Sequence, residues 1–216
     1  MGWLEDLCER RVEDFLEVGS GEGFTLEAAN KKGWHTVGVE VSPAFAEPVS
    51  SRLGVEVLLV ELEDLSLSDE SFDVIYVNSV LEHVSDPEAF LRECRRLLRP
   101  GGVVFILVPN EDSLYNDFRH VVFRLLGKRT SSRISPFRTP YHFQGFTSTS
   151  LRLLFEQTGF RVLSLAVGSG TNEIRKVKLT AFRQFGMHLA LYPIFWLGER
   201  TGRGLSIVSV VARNDG

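Results

Sequence analysis

The sequence predicts a single α/β domain organised around a doubly wound, mostly parallel sheet. Two observations carry this prediction: apolar runs of strand length alternate with helix-like stretches, and the first run ends in glycines at alternate positions. With 216 residues, the chain is long enough for one such domain and too short for two. We therefore expect residues 1–216 to form one domain.

The glycine-rich turn lies in Asp14–Gly23, DFLEVGSGEG. The apolar run FLEV predicts a buried parallel strand. The helix-like stretch Phe24–Lys32 follows at once, so its first N–H groups would face whatever lies over the turn. This arrangement favours a nucleotide-like cofactor, although a bare structural turn has the same pattern. The glycines that let the backbone turn with no Cβ in the way of a ligand are Gly19, Gly21 and Gly23.

An acidic residue closes the second apolar run, Thr36–Val41. Glu40 lies about 20 residues after the first glycine, and in a doubly wound sheet that position places a carboxylate where it can accept both ribose hydroxyls of a cofactor. A dinucleotide fingerprint would need glycine or alanine at position 24, where this chain has Phe24. The pattern therefore disfavours a nicotinamide-linked oxidoreductase, which would share the glycines and Glu40.

The remaining elements follow from apolar periodicity and capping signals. Ser42 and Asp86 are the predicted N-caps of two helices that begin with proline, and Pro100 with two glycines is expected to end the second of them. Helices are predicted at Trp3–Arg11, Pro43–Leu53, Asp86–Leu98, Phe118–Leu126 and from Thr147 or Ser148 to Gly159. Strands are predicted at Val55–Val60, Phe72–Val77, Val103–Val108, Arg161–Val167 and Leu205–Arg213.

Several blocks together carry a family resemblance. The pattern ExGxGxG at Glu17–Gly23, the acid Glu40, and the stretches LEDLSLSDESFDVI, NSVLEHVSDPEAFLRECRRLLRPGG and VVFILVPN resemble class I S-adenosylmethionine-dependent methyltransferases in order and spacing. The similarity runs from about Asp14 to Phe160 and is greatest to enzymes that methylate small molecules, quinone precursors or sugars. It implies a single-domain Rossmann-like fold with helices on both faces of a seven-stranded, mostly parallel sheet whose last strand is antiparallel. It also implies S-adenosyl-L-methionine as the cofactor.

The resemblance assigns cofactor-binding roles to residues at the ends of the first, second and fourth strands and in one loop. Leu62 and Glu63 match the loop that contacts adenine in the family, although this chain has Ser66 where many relatives have proline. Asn78 and Ser79 follow the fourth strand and would border the methionine half of the cofactor. The complete predicted set is Glu17, Gly19, Ser20, Gly21, Gly23, Glu40, Val41, Leu62, Glu63, Asn78 and Ser79.

Two histidines are the candidate catalytic residues. A hydroxyl or amine acceptor needs a base to take its proton, and His142 in YHFQGF or His83 in LEHV has a suitable side chain. Tyr141, Phe143 and Phe146 are expected to exclude water around His142, and for each histidine a purely structural role is the alternative. Because no C-x-x-C, H-E-x-x-H or P-loop pattern is present, we expect no obligatory metal.

Charge is distributed unevenly along the chain, whose net charge is −4. Residues 1–117 hold 24 acids and 9 Lys or Arg, whereas residues 118–216 hold 4 acids and 15 Lys or Arg. An anionic substrate or surface met by the second half explains the asymmetry, and ordinary solvated faces are the alternative. Nucleic acid is disfavoured as a partner because the total charge is negative and no RNA motif is present.

Two segments, 111–146 and 168–204, depart from the family pattern and are expected on the substrate side or as insertions. The run MHLALYPIFWL at 187–197 is too short to span a bilayer. It predicts a core helix kinked at Pro193, a dimer contact or a surface for a lipid-like substrate or peripheral membrane contact. The protein is expected to be a monomer or homodimer.

The cellular context follows from the cysteines and the N-terminus. Cys8 and Cys94 do not form a disulfide framework pattern, and MGWLEDLCERR is too charged for a signal peptide, so a cytoplasmic location is expected. The sequence thus predicts an S-adenosylmethionine-dependent methyltransferase acting on a small-molecule acceptor that is anionic or lipid-like. A non-catalytic cofactor-binding domain and an NAD-linked oxidoreductase are the alternatives.

Overall fold

A seven-stranded sheet forms the centre of the protein. The computed structural model describes residues 2–64, 66–127, 142–168 and 182–215, with the backbone alone for Glu63 and residues 182–190. The strands are β1 (Asp14–Val18), β2 (His35–Glu40), β3 (Glu56–Leu59), β4 (Phe72–Asn78), β5 (Leu98–Pro109), β6 (Phe160–Gly168) and β7 (Ser206–Arg213). The helices are α1 (Gly2–Glu5), α2 (Phe24–Asn30), α3 (Pro43–Leu53), α4 (Pro87–Leu97), α5 (Leu114–Leu125), α6 (Ser148–Gln157) and α7 (Phe182–Arg200). Short 3-10 turns lie at Leu62–Asp64 and Leu81–His83.

The strand order is β3-β2-β1-β4-β5-β7-β6. Strands β1 to β5 pair in parallel, while β7 runs antiparallel between β5 and β6. The order reverses at β1 and β4, so the carboxyl ends of β1, β2 and β4 border one crevice, which is where open α/β sheets bind ligands. This topology confirms the predicted Rossmann-like sheet with its antiparallel last strand.

Helices cover both faces of the sheet, as predicted. On one face, α4 and α6 bury apolar side chains against the strands, and on the other face α1, α2 and α3 do so. This two-sided burial explains why the central strands read as nearly continuous apolar runs. The helix residues that contribute are Phe90, Leu91, Cys94, Leu97, Leu151, Leu154 and Phe155 on the first face, and Leu4, Leu26, Ala29 and Val49 on the second.

The helix caps were predicted with mixed success. Asp86 accepts a hydrogen bond from the Ala89 N–H at 3.0 Å, and Thr147 caps α6 in a reciprocal arrangement with Ser150, as their sequence positions indicate. Ser42 occupies the predicted N-cap position of α3, but its side chain makes no capping bond. Instead, its backbone N–H donates to Glu40.

Three element boundaries differ from the prediction by four residues or more, and one of them is the start of α5, at Leu114 rather than Phe118. Strand β5 begins at Leu98 rather than Val103, because Leu98 pairs with Phe72 and is fully buried. Gly102 permits this continuation, since a Cβ there would lie 2.7 Å from the Asp73 carbonyl oxygen. The first helix ends at Glu5, well short of Arg11.

The apolar run at 187–197 lies within α7, which continues through Pro193. In the part whose side chains are described, Phe195 is buried and its ring lies 5.7 Å from that of Tyr115 on α5. Trp196 and Leu197 remain 42% and 48% exposed. The core-helix interpretation therefore holds for one face of α7, and another face stays apolar and open. Within the described ranges, no helix meets the length and hydropathy needed to cross a membrane.

Candidate functional site

A cavity of about 810 Å³ opens at the carboxyl ends of β1, β2 and β4. Seven of the predicted site residues line it: Gly19, Glu40, Val41, Leu62, Asn78, Ser79 and His83. The other lining residues are Val18, Val39, Val60, Glu61, Asp64, Val80, Val84, Ser85, Asp86, Ala89, Phe90 and Phe143. Most of the latter lie in the segments that follow β3 and β4, so the rule that ligands bind at strand carboxyl ends could have found them.

The glycine loop forms the wall of the cavity next to β1. Gly19 has φ 73°, and its N–H donates to the Val39 carbonyl oxygen at 2.8 Å, which holds the loop against β2. A Cβ on Gly19 would lie 2.4 Å from a methyl carbon of Val80. Both the backbone conformation and the space therefore require glycine at this position.

Glu40 presents a fixed carboxylate at the end of β2. Its side chain is 8% exposed, and one oxygen accepts from the Gly21 N–H at 2.8 Å while the other accepts from the Ser42 N–H at 2.9 Å. An ionised carboxylate has about four acceptor positions, so each oxygen keeps capacity for a further donor. Glu40 can therefore fix the glycine loop and accept ligand hydroxyls at the same time.

Four predicted cofactor residues are not among those that line the cavity: Glu17, Ser20, Gly21 and Gly23. Gly21 has φ 48° with no atom within 4 Å of where a Cβ would lie, and its contribution is the N–H donated to Glu40. A Cβ on Gly23 would lie 2.4 Å from Val49, so this glycine permits close packing of α3. Glu17, Ser20 and Gly23 are buried, whereas Gly21 is partly exposed with open space beside it.

The predicted adenine-side loop is a 3-10 turn at Leu62–Asp64. Leu62 and Asp64 line the cavity, and the side chain of Glu63 lies outside the described part of the structure. On the β4 side, Ser79 has φ 56° and donates its hydroxyl to the Asn78 side-chain oxygen at 3.2 Å. A positive φ at a non-glycine residue is uncommon and is often found at functional sites.

The two candidate histidines contact each other. Their ring centroids are 4.8 Å apart with an edge-to-face angle of 76°. His83 lines the cavity, as does Phe143, whereas His142 is not among the lining residues. Burial, and then the charge of His83, lowers the pKa of His142 below its usual value, which favours the neutral imidazole.

The segment around His142 is held by one backbone oxygen. The N–H groups of Phe143 and Gln144 both donate to the Glu82 carbonyl oxygen, at 2.8 and 3.1 Å. Phe143 is 64% exposed at the cavity, while Phe146 is buried in the core and does not line it. Of the aromatic residues predicted to exclude water, Phe143 is thus at the cavity, and Tyr141 lies outside the described residues.

Glu82 completes a group of three possible metal ligands with the two histidines. Its carboxylate is 2% exposed, one oxygen has no hydrogen-bond partner within the described residues, and burial raises its pKa. The ligand atoms of Glu82, His83 and His142 lie within 4.8 Å of one another. Imidazole and carboxylate ligands suit several divalent metals. The sequence predicted no metal site, because 59 positions separate the two histidines and no short motif joins them.

Comparison with known proteins identifies the family. The family model described as Methyltransferase domain matches residues 3–165. A ubiquinone biosynthesis O-methyltransferase of Parvibaculum lavamentivorans is 37% identical over 114 residues, 50% of this chain and 45% of that protein. A protein of the same name from Coxiella burnetii is 25% identical over 168 residues, 76% of this chain and 70% of that protein. The chain thus spans about half the length of the first of these relatives.

The fold comparison agrees. A crystal structure of an S-adenosylmethionine-dependent methyltransferase from Archaeoglobus fulgidus superposes with a TM-score of 0.67 at 17% identity, covering 98% of this chain and 90% of that one. The family model covers most of the chain, and the glycine loop, Glu40 and the sheet order stand where the resemblance places them. The chain therefore belongs to the class I S-adenosylmethionine-dependent methyltransferases.

Proposed function

We propose that this chain transfers a methyl group from S-adenosylmethionine to a small-molecule acceptor with an anionic group and an apolar body. The observation that carries the proposal is one cavity bordered by the glycine loop and Glu40 on one side and by His83 and Phe143 on the other. Cofactor-binding and proton-accepting groups thus share a single space. The name of the Parvibaculum relative, a ubiquinone biosynthesis O-methyltransferase, supports a quinone-precursor acceptor.

The residues present fit the cofactor. Glu40 keeps acceptor capacity for ribose hydroxyls, and Gly19 lines the same cavity as Leu62 and Asp64 of the 3-10 turn. When bound, the cofactor supplies a methyl group carried on a positively charged sulfur that is already an activated leaving group. The chain's main task is then to align the acceptor and to exclude water.

The proton of a hydroxyl or amine acceptor has a place to go. His83 faces the cavity, so its imidazole can accept that proton. The adjacent ring of His142 is neutral, so it opposes the positive charge on protonated His83 less than a cation at that place would. Phe143 covers this side of the cavity with an apolar ring. His83 is therefore the better placed of the two predicted bases, and His142 supports it.

Replacing Glu40 with alanine should weaken cofactor binding by ~1.5–3 kcal/mol, the range for a hydrogen bond to a charged group. The variant removes the ribose acceptor and also releases the Gly21 N–H that Glu40 holds. Calorimetric titration with S-adenosylmethionine measures the loss. Glu40→Gln, which keeps one acceptor oxygen, should lose less, and an unchanged dissociation constant for the alanine variant would remove Glu40 from this role.

An exposed apolar surface on α5 and α7 supports a lipid-like acceptor. We call it the α5–α7 surface: Phe118, Val121, Leu125 and Leu126 with Tyr192, Trp196 and Leu197, each at least 38% exposed. No residue of α5 is buried, so the helix does not serve the core. Exposed apolar side chains that form one contiguous patch often mark an interaction site.

Basic residues accompany this surface. Arg124 is an exposed residue of α5, and the Arg200 guanidinium lies 4.1 Å from the centre of the Trp196 ring. The predicted cations at Lys128, Arg129, Arg133 and Arg138 fall outside the described residues. An apolar face with positive charges at its edge suits an amphiphile with an anionic head, such as a prenylated acid, or the surface of an anionic membrane that holds it.

The test compares acceptors and variants. Labelled S-adenosylmethionine is offered with a prenylated hydroxybenzoate and with the same compound lacking the prenyl chain. Leu125→Glu should raise KM for the prenylated acceptor about tenfold, a change of ~1.4 kcal/mol, because it places an anion on the apolar face. Leu153→Glu, at a 54% exposed position of α6, is the matched control and should leave KM unchanged.

The outcomes separate the alternatives. Equal turnover of the two acceptors, or equal KM for the two variants, argues against the lipid-like body. Binding of S-adenosylmethionine with no methylation of any acceptor in a labelled cell extract would favour the non-catalytic alternative. Binding of NAD in place of S-adenosylmethionine would favour the oxidoreductase.

A further inference from the structure

We propose that Glu17 is a positioning residue that holds α2 against β1 and so sets the glycine loop for the cofactor. The family resemblance assigns Glu17 to cofactor contact, but this side chain is buried and is not among the residues that line the cavity. The inference rests on the cofactor of the proposed function and is independent of the acceptor.

The first support is a buried hydrogen bond. Glu17 is 4% exposed, and one carboxylate oxygen accepts from the Leu26 N–H at 2.9 Å. Leu26 is the third residue of α2, whose N-cap position is Gly23 and therefore has no side chain to cap the helix. A carboxylate from the neighbouring strand supplies the missing cap and lies favourably near the positive end of the helix.

The second support is the space between β2 and α2. Gly38 pairs with Glu17 in the sheet, and a Cβ on Gly38 would lie 2.8 Å from a methyl carbon of Leu26 and 3.3 Å from the Ser20 hydroxyl. Because Gly38 has no side chain, the first turn of α2 can pack against the strands, close enough for the Leu26 N–H to reach the Glu17 carboxylate. The glycine loop between β1 and α2 has both of its ends fixed by this packing.

The polar and titratable groups that face Glu17 come from three elements. Glu40 of β2 adds a negative charge, Tyr76 of β4 is a neutral phenol whose own pKa is raised by burial and by Glu17, and Thr25 of α2 offers its hydroxyl. Burial raises the pKa of Glu17 to about 7, against the hydrogen bonds from Thr25 and Leu26 and with a smaller rise from Glu40. Glu17 therefore changes protonation near neutral pH.

The sign of the pH effect follows from the hydrogen bond. Ionised Glu17 accepts a charge-assisted bond from Leu26 N–H, and protonation leaves only a weaker neutral acceptor. As the pH rises through about 7, the anchor strengthens and the loop is better held. Ionised Glu17 also adds negative potential behind a site that receives a cationic cofactor. Both effects make cofactor affinity increase with pH.

The experiment measures the dissociation constant of S-adenosylmethionine by calorimetry between about pH 6 and 8.5. This window brackets the pKa of about 7 for Glu17. The full chain is compared with Glu17→Gln and Glu17→Ala. Affinity of the parent should rise about fivefold across this window, the difference between a charged and a neutral hydrogen bond. Glu17→Gln should lack that rise, and Glu17→Ala should bind at least about tenfold more weakly than the parent at high pH.

A matched control lies on α2, the helix whose Leu26 N–H donates to Glu17. Glu27→Gln makes the same charge change at a residue that pairs with Lys31 and Arg52 on the surface, so it should retain the parent's pH dependence. The cofactor's own amine titrates equally against every variant, so the difference between parent and Glu17→Gln isolates Glu17. Thermal melts of each variant report folding separately.

The outcomes are distinguishable. A parent-like pH profile in Glu17→Gln, or parent-like affinity in Glu17→Ala, overturns the inference while leaving the proposed function intact. A fall in melting temperature with unchanged affinity in Glu17→Ala assigns Glu17 to stability alone and also overturns it. If the parent fails to bind S-adenosylmethionine at any pH, the proposed function fails, and the inference fails with it.

Discussion

Replacing His83 with glutamine should lower kcat by ~10²–10⁴-fold, the usual contribution of a general base. His83 lines the cavity that also holds the Glu40 carboxylate, so its imidazole can reach an acceptor placed beside the cofactor. Glutamine keeps a polar side chain of similar reach but cannot hold the proton. Single-turnover assays measure the loss, and calorimetry should show unchanged cofactor affinity because the ribose acceptor and the glycine loop are untouched.

His142→Gln is the informative comparison. If His142 supports His83, its replacement should cost less than that of His83, and the double variant should be no worse than His83→Gln alone, because the two residues act as a unit. If His142 is itself the base, its replacement should cost at least as much as that of His83. In that case the acid limb of the parent's pH profile should lie below ~6.5, since burial lowers the pKa of His142 and keeps it neutral to more acidic pH.

Two results would contradict a base at either position. If kcat of both variants stays within about threefold of the parent while their melting temperatures fall, the histidines serve packing. A chelator-sensitive activity that both variants lose would instead point to the metal-ligand group that the histidines form with Glu82.

The sheet was largely predictable because burial on both faces leaves a strong signal. Phe72–Val77 reads as an almost continuous apolar run, interrupted only by Asp73, and the structure places all of it within a helix-covered central strand, β4. The helix starts marked by Asp86 and Thr147 were predictable for a related reason, since a capping side chain and the N–H it accepts from are three residues apart.

The missed boundaries depend on partners distant in sequence. Strand β5 extends back to Leu98 because Phe72 of β4 offers a pairing partner, and no local signal at Pro100 or Gly101 shows this. Helix α7 contains Pro193 in its interior, as the prediction of a helix through this residue allowed. Pairing with a distant strand decided where β5 begins, and single-sequence propensities do not contain such pairing.

The candidate site was predictable where one residue type must occupy one place in the topology. Gly19 and Glu40 stand at strand ends whose geometry is shared by the fold, so the motif locates them. Glu17 belongs to the same motif but bonds the first turn of α2 and is not a lining residue of the cavity. Side chains along a strand point alternately to its two faces, and the motif does not indicate which face borders the cavity. The contact between His83 and His142 needed the structure.

Replacing Asp73 with alanine should lower the free energy of unfolding by ~3–5 kcal/mol, the cost of breaking a buried ion pair by removing one partner. Asp73 is fully buried at the start of β4, and one oxygen accepts from the N–H groups of Glu13 and Asp14 at 2.8 and 2.9 Å. The other oxygen contacts Arg10 at 2.8 Å and Arg99 at 3.1 Å. The variant removes this acceptor from the two backbone N–H groups and from both arginines, of which Arg99 keeps its bond to Asp14 at 2.6 Å, and it frees the segment that leads into β1.

The melting temperature of Asp73→Ala should fall by roughly 6–20 °C for a chain of this size. Arg161→Ala is the control, since its pair with Glu9 is exposed and such pairs contribute only ~0.2–1 kcal/mol. Burial opposes ionisation of Asp73, but the backbone bonds of Asp14 and Glu13 and then Arg99 together hold its pKa below the usual value. The unfolded chain therefore binds this proton more readily, so the contribution of Asp73 is present above about pH 4 and is lost as the pH falls through its lowered pKa. Urea titrations of parent and variant should converge at low pH, and a stability difference that persists unchanged there would show that Asp73 acts by packing instead of charge.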